Sequence, residues 1–225
     1  MNPSLEEITR RADALYDERE QRENVRASIA LLEEAECASE YEALWRLGRA
    51  LFLLGQEARG KDATRHYHAR AVSFCQRAAH LQPERVEAHF WLGVNLALMA
   101  EGENPLNALR HALSAKRSLV RAVHLDSAYH AAGPLRVLAR LQHKLPRPFG
   151  GGTKRARANF ERAIQLAPAN TVTRLYFAEL LLETGDRGRA RDELETLLNA
   201  PHDSRWAFES ARDRKIARKM LDGIL

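Results

Sequence analysis

The chain has 225 residues, 45% of them apolar and 29% charged, enough for one globular domain with a substantial core. No apolar run reaches 18 residues, which excludes a transmembrane helix. Two cysteines, Cys37 and Cys75, outside any CxxC spacing exclude a disulfide scaffold and a zinc module. The net charge of +5 comes mainly from arginines interleaved with Glu and Asp. Such mixing reads as solvated helix faces with i,i+4 pairs, not as the separated basic block of a nucleic-acid binder.

Taken in chain order, the hydrophobic spacing is helical throughout and no segment alternates like a strand. It predicts eleven helices, at 3–20, 24–38, 40–56, 63–82, 84–100, 105–125, 128–143, 153–167, 170–184, 187–199 and 206–222. The short breaks between most of them imply antiparallel pairs. The first helix is acidic and amphipathic and lacks the basic start and apolar centre of a signal peptide. As written, the chain reads as cytoplasmic, or as periplasmic if a leader has been trimmed. Cys75 falls at an apolar position of the fourth helix and reads as a buried thiol. His124 and His130 flank a helix break and read as structural histidines.

The stretch KLPRPFGGGTK (144–154) interrupts two helices with two prolines and three glycines. A phosphate loop needs GxxxxGK[ST] after a strand. Here the order is Thr153-Lys154 and no strand precedes, so the stretch reads as an irregular link. The N–H groups opening helix 153–167, with Lys154 and Arg155 beside them, still offer a place for an anionic group.

Four segments share a pattern: AVSFCQRAAHLQP (71–83), AKRSLVRAVHLDS (115–127), ARANFERAIQLAP (156–168) and ARDELETLLNAPH (190–202). Each opens with Ala, then places Cys75, Leu119, Phe160 or Leu194 four residues on, and Ala78, Ala122, Ala163 or Leu197 seven on. The periods between the opening alanines are 44, 41 and 34 residues. Small residues at such spacing let helices approach closely, and the prolines at or beside three of the ends stop them. LWRLGRAL (44–51) and HFWLGVNL (89–96), with the weaker PLRVLARL (134–141) and RLYFAELL (174–181), precede them.

In these motifs the chain resembles the tetratricopeptide repeat family. The resemblance implies an all-α solenoid of about five antiparallel helix pairs, at 1–39, 40–83, 84–127, 128–168 and 169–202, with 203–225 as a capping helix. It implies one domain over 1–225. Residues 55–66, 100–108 and 144–152 are insertions relative to the family standard. By register, the groove-facing positions are Trp45, Arg49, Phe90, Val94, Arg136, Arg140, Leu175 and Glu179, with Trp91 and Asn95 beside them. Trp and Arg suit binding hot spots, and each aromatic reads equally well as groove or core. The set is too apolar for the Lys/Asn clamp that chaperone-tail binders of the family use.

The second half carries AAGPLRVLARLQHKLPRPFGGGTKRARANFERAIQLAP, LYFAELLLETGD and APHDSRWAFESARDRKIARKMLD. It resembles the T-component proteins of TRAP transporters, on Gly133, Pro134, Pro146, Gly150, Gly151, Glu179, Trp206 and Glu209. This implies a periplasmic lipoprotein able to form a homo-oligomer, which binds a solute-binding protein and offers an apolar pocket to a small ligand. No lipid-attachment cysteine is visible. Trp206 is expected to anchor the last helix, with Ile216, Met220 and Leu221 on its packed side.

No HExxH, GxSxG or other catalytic motif is present, and no cofactor or metal site is expected. The chain therefore reads as a non-enzymatic scaffold whose groove holds a protein segment or an apolar ligand. A T-component-like transport accessory is the first alternative. An RNA-associated adaptor using Arg155, Arg157, Arg212, Arg214 and Lys215 is the second, although nucleic acid is not what the charge pattern favours.

Overall fold

The computed structural model describes residues 4–34, 39–101 and 103–224; Cys37 lies outside the described residues. Among the described residues there are eleven α-helices and no strand. They are α1 (Leu5–Asp17), α2 (Arg22–Glu33), α3 (Tyr41–Glu57), α4 (Lys61–Leu81), α5 (Val86–Met99), α6 (Pro105–Leu125), α7 (Tyr129–Lys144), α8 (Thr153–Leu166), α9 (Thr171–Glu183), α10 (Arg187–Leu198) and α11 (Ala207–Asp222). The central helices follow the predicted spans within one or two residues, because proline, glycine and Asn/Asp caps mark their ends. Asn170 caps α9 by accepting from the Thr173 N–H, and Asp186 caps α10 by accepting from Arg189.

The helices form two compact units, 1–125 and 126–225. In the first, α1–α2, α3–α4 and α5–α6 pair, and α3 also packs on α5. In the second, α7–α8 and α9–α10 pair, and α11 packs on α9 and α10.

The repeated small-large-small pattern is what closes each pair. Ala71, Cys75 and Ala78 of α4 are fully buried, as are Ala115, Leu119 and Ala122 of α6, Ala156, Phe160 and Ala163 of α8, and Ala190, Leu194 and Leu197 of α10. In the first unit their partners are glycines of the preceding helices. A Cβ on Gly48 would lie 2.1 Å from the Cys75 Sγ, and one on Gly93 would lie 2.6 Å from the Leu119 Cγ. The Leu-Gly pair of the sequence is thus the notch into which the opposite helix drops its fifth-position side chain. Burial pushes the Cys75 thiol above its ordinary range, which leaves it an inert packing group.

Two segments of the second unit depart from regular helix. The link after α7 contains a short 3-10 turn at Arg147–Phe149, and Gly150 and Gly152 have φ of 83° and 126°. Its N–H groups are used internally: Gly150 donates to Arg147, Gly151 to Pro146 and Gly152 to Gln142 (2.9 Å). The glycines therefore fold the link back on α7 and have no N–H left for an anion. At the start of α7, His130, Ala131 and Ala132 take left-handed dihedrals, with φ between 52° and 57°. For non-glycine residues this costs roughly 1–2 kcal/mol each. The sequence signals a helix break here, but not its hand.

Candidate functional site

The most concentrated set of charged and aromatic groups in the first unit lies on α1 and α3. Glu42, Trp45, Arg46 and Arg49 follow i, i+3, i+4, i+7 spacing and so share one face of α3. Asp13 and Tyr16, three apart on α1, meet it. Asp13 accepts from Arg46 Nε (3.0 Å) and Nη2 (2.9 Å) and from Arg49 Nη2 (2.6 Å). Arg46 Nη1 donates to Glu42 Oε2 at 2.6 Å, and Trp45 Nε1 donates to the same oxygen at 3.0 Å.

The guanidiniums also stack on rings. Arg46 lies 4.3 Å from the Trp45 ring, and Arg49 lies 4.0 Å from Tyr16 and 5.2 Å from Trp45. Burial acts to raise the Asp13 carboxyl, but the hydrogen bonds and charges of Arg46 and Arg49 outweigh it and hold the carboxyl below its ordinary value. The array extends through Arg85, which pairs with Glu42 (3.2 Å) and Glu87 (2.7 Å) and stacks 4.8 Å from Tyr41. Arg49 Nε is buried and has no hydrogen-bond partner among the described residues.

Other expected groove positions are interior. Phe90 and Trp91, each 2% exposed, pack edge-to-face at 4.9 Å, and Trp91 also meets Phe52 at 5.3 Å. Val94 and Asn95 are buried. Leu175 is in a core cluster with Ala178, Leu194, Leu197 and Ala217. Arg136 is buried. Trp45 is also nearly covered, so its ring supports the arginines above it. The Arg49 side chain is 15% exposed, and Arg140 and Glu179 form a partly exposed ion pair on the second unit, with Arg140 4.6 Å from the Tyr176 ring. The sequence reading omitted Asp13, Tyr16, Glu42 and Arg46. The i,i+3,i+4,i+7 spacing from Glu42 was the available signal for the α3 members; nothing local marked Asp13.

Asn95 does have a definable task. Its Nδ2 donates to the Trp91 carbonyl (2.8 Å) and the Gly48 carbonyl (3.3 Å), which turns Oδ1 toward His68 Nδ1 at 2.8 Å. Oδ1 can only accept, so His68 carries its proton on Nδ1. Burial lowers the His68 pKa from its ordinary 6.5, with the Asn95 bond opposing only in part. Above pH 6.5 the imidazole is neutral in both folded and unfolded chains. Below it the unfolded chain takes a proton that the folded chain resists, so stability falls as pH falls. Urea unfolding is expected to show stability flat from about pH 8 to 7, then dropping below about 6.5 by up to about 1.4 kcal/mol per pH unit for each proton excluded. His68→Gln should reduce that slope, and His111 and His143, which burial also lowers, supply the remainder.

The second unit places Met220 and Leu221 of α11 against the α9–α10 core, whereas Ile216 is 37% exposed and does not join them. Trp206 lies against α7, 4.8 Å from the His130 ring. Of the five cations that an RNA adaptor would use, Arg157 pairs with Asp186 (2.6 Å), Arg212 with Asp213 (2.8 Å), and Arg214 donates to the Ala200 carbonyl (2.7 Å). No helix among the described residues is long and apolar enough to cross a membrane.

The family model of the TRAP transporter T-component matches residues 21–223. The chain belongs to that family. A comparison with curated protein sequences finds no match. Among solved structures, the chain is similar to a thermophilic tetratricopeptide repeat protein of Thermus thermophilus, TTC0263. That likeness has 18% identity, 98% coverage of both chains and a TM-score of 0.70, and it shows the all-α tetratricopeptide-type fold. Yeast Tom70 also matches, at 11% identity and a TM-score of 0.35, over 97% of this chain and 60% of that one.

Proposed function

We propose that this T-component family member is a non-enzymatic accessory of a TRAP-type transport system, and that it holds a segment of a solute-binding protein on the α1–α3 face. The observation that carries this reading is the array of Asp13, Tyr16, Glu42, Trp45, Arg46 and Arg49, taken together with the family match. Aromatic rings and arginines held in place by neighbouring carboxylates present directed donors with little rotamer entropy left to lose. The charges in the array are mixed, so the partner segment that fits it is polar and carries acceptors for the arginine tips. Arg140 and Glu179 offer a second, smaller contact of the same kind on the other unit. An apolar ligand is the alternative occupant of such a protein. The intramolecular bonds of Arg157, Arg212 and Arg214 remove most of the basis for an RNA adaptor.

The test is capture of a purified TRAP solute-binding protein from the same organism. Trp45→Ala combined with Arg49→Ala is expected to weaken capture at least tenfold while the helical circular dichroism persists. Capture at native strength by a folded double variant would remove the assignment of this face.

A further inference from the structure

The net positive charge is not shared between the two units. Residues 1–125 carry 17 Lys and Arg against 18 Asp and Glu, and residues 126–225 carry 18 against 12. Part of that excess gathers where α8 and α10 begin. Residues 153–160 and 187–191 hold six cations and no acid. The two helix starts lie side by side, because Arg157 of α8 pairs with Asp186 at the head of α10 (2.6 Å), and Arg189 of α10 pairs with Glu161 of α8 (2.8 Å). Arg147, in the link before α8, borders them. Its Cγ lies 3.8 Å from where a Cβ on Gly152 would stand.

That ladder uses up Asp186 and Glu161. Arg147, Lys154, Arg155, Arg187 and Arg191 have no carboxylate partner among the described residues, and all but Arg191 are exposed. They stand where helix stability disfavours them. The positive end of a helix dipole repels cations in the first turn, and neither helix has an acid there. Arg187 and Arg191 are also like charges at i,i+4. An external anionic surface offsets both repulsions. The face is open and forms no pocket, since a Cβ on Gly185 or Gly188 meets nothing within 4 Å. The N–H groups of the glycine link bond internally, so no backbone cradle singles out one phosphate. Phe149, in the short turn that Arg147 opens, is 38% exposed.

We propose that the paired starts of α8 and α10, with the Arg147–Phe149 turn, dock on an anionic lipid bilayer. The five cations meet headgroup phosphates, and Phe149 enters the boundary between headgroups and acyl chains. An open face of long cationic side chains with an exposed ring beside it fits a broad, fluid array of phosphates. Single-stranded nucleic acid fits it less well. The ring of α8, Phe160, is fully buried and α10 has none, so these helices offer no second ring on which successive bases stack. The face shares no residue with the α1–α3 array. Vesicle binding by the chain alone therefore fails or succeeds independently of partner capture.

The experiment is co-sedimentation of the full chain with vesicles of phosphatidylcholine alone and of phosphatidylcholine mixed with phosphatidylglycerol, at low and at high salt. Binding to the anionic vesicles is expected to exceed binding to the neutral ones at least tenfold, and to fall steeply as salt rises. Lys154→Glu combined with Arg187→Glu should weaken it at least tenfold. Both side chains are exposed and both changes suit the helix dipole, so circular dichroism and urea unfolding should stay native or improve. Phe149→Ser should weaken binding at least threefold with the charge unchanged. Neither glycerol phosphate nor an RNA oligonucleotide should displace the chain from the vesicles. Equal binding to neutral vesicles, native binding by the charge-reversed or the Phe149 variant, or displacement by either competitor would each overturn the proposal.

Discussion

Gly151→Ala is expected to destabilise the protein by roughly 3 kcal/mol, at the upper end of what overpacking a tight site costs. The added Cβ would stand 1.8 Å from the Leu145 carbonyl oxygen, 2.5 Å from its carbon and 2.8 Å from the Leu145 Cβ. Two of those atoms are backbone, so no rotamer change relieves the clash. The link must open, which costs the Gly151–Pro146 and Gly152–Gln142 hydrogen bonds. Urea unfolding of the variant against the native chain measures this, and a loss below about 0.5 kcal/mol would mean that the link does not pack as described. Gly188 is the control, because a Cβ there meets nothing within 4 Å.

Phe160→Ala is expected to cost more, about 3–5 kcal/mol. The ring is fully buried on α8 and packs 5.6 Å from Phe177, in a cluster with Ala139, Ala156, Leu180, Leu181 and Ala190. Three of those neighbours are alanines, which have no longer side chain to swing into the vacated space. The cavity therefore stays open, and both its volume and the lost transfer free energy count against the fold. The same denaturant experiment checks it. A cost under about 1.5 kcal/mol, closer to a conservative core swap, would show that the cluster collapses around the deletion.

Most of the helix order was legible because its signals are local. Apolar residues recur at helical spacing, Asn170 and Asp186 stand before helices they cap, and the repeated alanines with Cys75, Leu119, Phe160 and Leu194 predicted positions that are all fully buried. Groove positions were less legible. Register places Phe90, Trp91, Val94, Asn95 and Leu175 on first helices, but a first helix packs on its own partner and on neighbouring pairs. Most of its surface is therefore covered, and side chains next to the Leu-Gly notch go inward. The task of Arg46 depends on Asp13, thirty-three residues away.

By itself, the sequence determined the helical class, the pairing period and the residues that let helices touch, since periodicity, small side chains and breakers act within a few residues along the chain. Only the tertiary structure decided which charges find partners. Asp13 ended under two arginines, Asp213 beside Arg212, and Arg136 hydrogen-bonded to the Ala131 carbonyl and Asn170. The physical reason is that electrostatic and hydrogen-bond satisfaction is set by distance in space, and segments remote in sequence supply the partner or withhold it.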